Sequence, residues 1–174
     1  RPGIRQARGQ LSRLSADQAP SRRSLTSAVG VIYFPDTNAF SFHLRGRDPA
    51  LSARLARAVE NGELRLSLVV LFELRYGAEK ALLSRERRPA DRVAKLQRII
   101  PLDLPTEDVA LHYGRLRSHL EASGRLIGAM DMLLAAHALA TNAVVVTGNT
   151  REFERVPGLA VENWHGPSVS PSTR

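Results

Sequence analysis

The chain has 174 residues and a mass of 19.1 kDa, with 43% hydrophobic and 24% charged residues, a composition that suits one domain with a sizeable core and argues against a fully disordered or coiled-coil chain. No uninterrupted apolar run reaches the ~18 residues of a membrane-spanning helix, and the absence of cysteine excludes disulfides and thiolate metal sites and fits a reducing, cytoplasmic setting. The formal charge is +8, from 25 basic against 17 acidic residues, with arginine supplying 23 of the bases; a polyanionic partner such as nucleic acid and a GC-rich genome account for this bias equally well.

Residues 1–28 hold six arginines against the single acid Asp17 and read as a disordered basic arm contributing +5 of the charge. That Arg/Ser-rich composition is shared with mitochondrial-type transit peptides, whereas the apolar centre of a secretory signal is missing. The core spans 29–164. Val31–Phe34 is a short apolar strand running into Asp36. Asp48 followed by Pro49 predicts a helix start, and Gly62 closes that helix. Leu64–Leu68 reads as a strand, with Ser67 placed to cap a helix over Val69–Lys80. A second helix over Arg85–Arg98 leads into the apolar segment Ile99–Leu104. Thr106, Glu107 and Asp108 open a helix that ends near Gly124. Gly128 precedes another helix, reaching about Thr141. Ala143–Thr147 is a β-branched run suited to a strand covered on both faces, and Val161–Trp164 reads as a final edge strand. Residues 165–174 form a Pro/Ser-rich tail expected to be disordered. Strands alternating with helices at this spacing predict an α/β fold with a mostly parallel sheet, whose ligands bind beyond the carboxyl ends of the strands.

Four acids stand at such ends or in apolar company. Asp36 follows the first strand, where it either caps the next helix or serves a site. Glu73 sits among Val69, Val70, Leu71, Phe72 and Leu74, where a carboxylate needs a cation, hydrogen bonds or a raised pKa; an ion pair with a core arginine is the structural alternative. Asp131 begins the helical stripe of Leu134, Ala135 and Ala138, as a first-turn dipole partner or as a cation ligand. Asn149 and Glu152 follow the Ala143–Thr147 strand, and Glu152 taken alone is an ordinary solvated acid. Convergence of the four on one point would require neutralisation. A hard divalent cation, Mg²⁺ or Mn²⁺, suits an all-oxygen donor set and implies metal-dependent phosphoryl chemistry.

Other motifs are weak. The five histidines show no metal-ligand spacing, and His137 reads as a packing or surface residue. Serine-hydrolase elbows, Walker loops and dinucleotide fingerprints are absent. The run Arg85, Arg87, Arg88 and Arg92 either grips phosphate or forms a solvated helix face, and Arg115 with Arg117 is equally open. Tyr33, Tyr76, Tyr113 and Trp164 are too scattered for a base-stacking platform.

The segments DTNAF at Asp36, FELRYGAEKA around Glu73, IGAMDMLLAAHA around Asp131, and VVVTGNTREFERVPGLAVENW at Val144–Trp164 resemble, in that order, the PIN-domain ribonucleases, specifically VapC-type toxins of bacterial toxin–antitoxin pairs. The resemblance covers about residues 31–164. It implies a three-layer PIN-like fold, and an Mg²⁺- or Mn²⁺-dependent endoribonuclease acting on structured RNA such as tRNA or rRNA. It also implies a homodimer and a cognate VapB-type antitoxin. Position by position, it makes Asp36 and Asp131 metal ligands, with Glu73 completing the site directly or through water. Thr37 and Asn38 would hold the first acid's geometry, and Thr147 would do likewise.

Two departures stand out. The family often places a fourth Asp where this chain has Asn149, which leaves Glu152 to supply the charge one turn later, and one or two ions remain open. Pro35 has no N–H to give a central strand, so the strand is expected to bulge or lose a ladder bond, with Asp36 displaced and catalysis weakened as the consequence. An inert RNA- or partner-binding PIN-like protein is therefore the alternative from another class. A DNA nuclease using the same acids is the alternative among enzymes. A phospho-acceptor domain lacks the lysine it would need near its last strand.

Overall fold

The computed structural model describes residues 30–83 and 88–166. The basic arm, the tail beyond residue 166, and Arg85 and Arg87 lie outside the described residues. Within them the elements run β1 (Tyr33–Pro35), α1 (Thr37–Leu44), α2 (Pro49–Glu60), β2 (Leu66–Ser67), α3 (Leu68–Leu83), α4 (Arg88–Ile99), β3 (Leu102–Asp103), α5 (Glu107–Ala122), α6 (Ala129–Thr141), β4 (Val144–Val146), α7 (Thr150–Phe153) and β5 (Ala160–Glu162). No helix among them is long and apolar enough to cross a membrane.

Strands β1, β4 and β5 form a parallel sheet with β4 in the middle, and β2 pairs in parallel with β3. A single parallel bridge between Tyr33 and Leu64 joins the two ladders. The strand series is therefore β3-β2-β1-β4-β5, an α/β fold with helices flanking a parallel sheet. Val145 and Val146 on the central β4 are fully buried, as the β-branched run requires.

Pro35 explains why the β1–β2 contact stops at one bridge. The Tyr33 N–H donates to the Glu63 carbonyl at 2.9 Å and the Arg65 N–H to the Tyr33 carbonyl at 3.1 Å. The next donor toward β2 would be the residue 35 amide, which proline lacks. The opposite edge is untouched, because alternate residues serve it: the Val144 N–H donates to the Ile32 carbonyl at 2.8 Å and the Asp36 N–H to the Val146 carbonyl at 2.9 Å. One ladder bond is lost and Asp36 stays anchored; the expected displacement does not occur.

Local chemistry accounts for most element ends. Asp48 caps α2 by accepting from the Leu51 N–H at 2.9 Å, with Pro49 at the first helical position. Gly62, at φ 70°, turns the chain out of that helix. Helix α3 starts one residue earlier than predicted and continues to Leu83. Thr106 stands at the start of α5 without a side-chain capping bond, leaving Glu107 and Asp108 to complement the helix dipole. Strand β5 begins at Ala160 rather than Val161.

Helix α6 is buried almost all round, between the sheet and α5. Its small residues Ala135, Ala136 and Ala138 permit that close approach. His137 is fully buried there: Nδ1 lies 2.9 Å from the Ser67 hydroxyl and Nε2 lies 2.9 Å from Asp103 Oδ1. The Val69 N–H in turn donates to Ser67 at 3.2 Å. Each polar atom of the network finds a partner, so it ties α6 to β2 and β3 without a stranded polar atom.

Candidate active site

Each of the four acids reaches the carboxyl edge of the sheet on a different element. Asp36 leaves β1 and is 4% exposed. Its Oδ1 accepts from the Ala39 N–H at 2.6 Å, capping α1, and its Oδ2 accepts from the Thr147 hydroxyl at 2.6 Å. Asp36 therefore caps α1, and its second oxygen is held by Thr147. Thr147, fully buried after β4, receives the Asn149 N–H on its own oxygen at 2.8 Å. With that lone pair occupied, the hydroxyl proton is directed at Asp36.

Glu73 projects from the second turn of α3 and is half-buried. Its apolar sequence neighbours Val70, Leu71 and Leu74 are buried on the other faces of the helix. Among the described residues no arginine pairs with it; the Thr37 hydroxyl donates to it instead. Thr37 thus orients Glu73, not Asp36. Asp131 lies in the first turn of α6, where the helix N-terminus favours a negative charge. A Cβ on Gly128 would stand 3.2 Å from Asp131 Oδ2, so the glycine makes room for the carboxylate. Glu152, on the short helix α7, lies within hydrogen-bonding reach of Asp131. The side chains of Asn38 and Asn149 are exposed, and Asn149 contributes its backbone N–H.

Electrostatics confirm the crowding. Burial, then the charges of Glu152, Asp36 and Glu73, push the Asp131 carboxyl up to about 6. Asp36 is also raised, chiefly by burial, while the Thr147 and Ala39 hydrogen bonds and the charge of His165 pull the other way.

The donor set fits a hard, hydrated divalent ion. Among the described residues no three carboxylates or imidazoles converge closely enough to ligate one ion by themselves. Mg²⁺ is commonly held by one or two carboxylates while keeping several waters, and four oxygen-bearing acids with surplus charge meet that requirement.

Sequence reasoning passed over His165. The first two residues of the segment read as a tail pack onto the core: His165 Nδ1 lies 3.0 Å from Asp48 Oδ2, and the Gly166 N–H donates to the same oxygen at 3.2 Å. The His165 ring lies against Gly148, where a Cβ would come within 3.0 Å, and edge-on to Phe42 at 5.1 Å. With 117 positions between the partners, nothing local in the chain signals this contact.

Comparison with known proteins gives a consistent picture. The PIN domain family model matches residues 33–159. "Ribonuclease VapC2" of Rickettsia felis is 35% identical over 134 residues, covering 77% of this chain and 98% of that protein. "tRNA(fMet)-specific endonuclease VapC" of Shigella flexneri is 38% identical over 129 residues, covering 74% and 95%. Among solved structures, VapBC2 from Rickettsia felis bound to a DNA fragment from its promoter superposes with a TM-score of 0.71 at 32% identity, over 77% of this chain and 99% of that one. VapBC-1 from nontypeable Haemophilus influenzae gives 0.67 at 31% identity, covering 77% and 98%.

Proposed function

The chain belongs to the PIN-domain family, as a relative of the VapC ribonucleases, and from that premise we propose that it is an Mg²⁺- or Mn²⁺-dependent endoribonuclease that acts as the toxin of a toxin–antitoxin pair, cutting structured RNA such as tRNA or rRNA. The observation that carries the reading is the cluster of Asp36, Glu73, Asp131 and Glu152 in a protein that is otherwise basic, where burial and then the charges of the other three acids push Asp131 up to about 6. A structural role would have been met by neutral side chains at no electrostatic cost. An acid cluster maintained against its own repulsion is suited to a cation.

Asp36 and Asp131 would hold the ion, with Glu73 and Glu152 acting through its waters. The bound metal supplies charge neutralisation at the phosphate and a water of lowered pKa. The protein's own share is positional. Thr147 and the Ala39 N–H hold both oxygens of Asp36 in place. Thr37 aims Glu73, and Gly128 leaves space for Asp131. Asp36 keeps its anchor despite Pro35, which removes the structural motive for an inactive PIN-like binder. The neighbouring VapBC complexes support a VapB-type antitoxin as partner, and a homodimer is carried over from the family resemblance alone.

The test is incubation of the purified chain with a tRNA pool in Mg²⁺ or Mn²⁺, beside an EDTA control and an Asp131→Asn protein prepared identically. Discrete metal-dependent cuts absent from the variant are expected. Equal cutting by Asp131→Asn, or cutting indifferent to EDTA, would refute the site.

A further inference from the structure

A groove of about 290 Å³ opens beside the acid cluster, between α1, α3 and α4. Thr37 and Glu73 belong to both, so the groove continues the cleft rather than lying apart from it. Its floor is apolar, with Leu74, Ala78 and Val93 buried beneath it. Its rim carries two cations, Arg45 at the end of α1 and Arg92 on α4. Among the described residues neither guanidinium pairs with a carboxylate, and Glu73 is the sole acid of the lining. The volume is that of a small-ligand site at the lower end of the usual range, roughly 300 Å³.

We propose that this groove seats one nucleotide of single-stranded RNA adjacent to the bond to be cut, with Arg45 and Arg92 on its phosphate and the apolar floor under its base. The inference rests on the ribonuclease reading above and adds the residues that position the substrate. Arginine forks match phosphate oxygens, and an apolar surface accepts the face of any base, which is how single strands are gripped without sequence readout. The four acids repel an approaching RNA backbone, so affinity has to come from cations just outside them. Charge distinguishes this groove from a second apolar one among the described residues, between α1, α2 and α4. That groove is lined by residues such as Phe40, Leu55 and Ile99, has no lysine or arginine, and carries only His43 and the acid Glu60 as titratable groups.

Gly77 lines the floor on α3, and a Cβ there meets nothing within 4 Å. A leucine at this position would fill the groove and favour the helix, separating loss of the seat from loss of the fold.

The experiment follows cleavage of a labelled tRNA pool, whose loops supply the unpaired nucleotides, by the full chain in Mg²⁺ across a salt series, with binding of the same RNA measured by fluorescence anisotropy in Ca²⁺. The variants are Arg45→Ala/Arg92→Ala, Gly77→Leu and, as a distant control, Arg117→Ala. Removing two charged phosphate contacts is expected to raise KM and Kd at least tenfold while leaving kcat nearly unchanged. The log–log salt slope should fall by about 1.4, twice the ~0.7 of a single-strand phosphate contact. Gly77→Leu should raise KM with an undiminished melting temperature, and Arg117→Ala should match the parent. If the parent cuts while the double variant keeps its KM, Kd and salt slope, the groove is not the RNA seat, and a peptide of the antitoxin is the better occupant. A parent that neither binds nor cuts RNA would overturn this inference together with the ribonuclease reading.

Discussion

Asp131 ties the chemistry of the site to the stability of the fold. Its carboxyl is raised from the ordinary value near 3.8 to about 6, so between those pH values the native chain binds more protons than the unfolded chain. Stability supplied by that proton is complete below about pH 4 and is lost as pH rises through about 6. Asp36, raised in the same direction, adds to the loss. His43, lowered by burial, contributes with the opposite sign just below its ordinary value of 6.5. The difference between the parent and Asp131→Asn isolates the Asp131 effect. Thermal melts in EDTA should show the parent losing ground to the variant between pH 4 and 6, and saturating Mg²⁺ should reverse the ranking at pH 7. Parallel curves in EDTA would mean that the carboxylates do not repel as described. Thr147 is the second residue with a sharp consequence. Thr147→Val keeps the shape but strands one oxygen of buried Asp36 and the Asn149 N–H, so we expect a loss of about 1–3 kcal/mol in denaturant unfolding together with reduced cleavage.

Pro35 acts at the scale of the strand. Because proline's missing donor faces β2 and not β4, it reduces the contact between the two ladders to the Tyr33–Leu64 bridge while preserving the edge that carries Asp36. Pro35→Val is therefore expected to gain a ladder hydrogen bond worth about 0.5–1.5 kcal/mol. It should also create a slowly exchanging amide at position 35 and leave cleavage unchanged. A rapidly exchanging amide there, or a drop in activity, would show that the proline sets the geometry of the site. Helix α6 illustrates the same division of labour. Its first turn carries Asp131, and the small residues Ala135, Ala136 and Ala138 with the Ser67–His137–Asp103 network hold it against the sheet.

At the scale of the molecule, charge is divided between a basic background and an acidic cleft. Residues 1–28 supply +5 of the net +8, so a chain beginning at residue 29 should retain the melting temperature and metal response of the whole. Its RNA binding should be weaker and less dependent on salt. Unchanged salt dependence would show that the arm takes no part in RNA attraction.

Much of this protein was legible along the chain. Strand–helix alternation, β-branched runs and capping residues determine a parallel α/β fold, because hydrophobic period and caps act over a few neighbouring residues. The acids in apolar company stand out for the same reason: a carboxylate beside Phe72 or Leu134 is conspicuous along the chain without knowing what it faces. Which groups orient those acids was decided by the tertiary structure. Thr37 turns to Glu73 although it adjoins Asp36 in sequence. Thr147 reaches Asp36 across 111 positions, and His165 reaches Asp48 across 117. The groove with Arg45 and Arg92 exists only where α1, α3 and α4 meet. Hydrogen-bond partners and cavities are set by distances in space, and strand order brings together residues that sequence separation keeps apart.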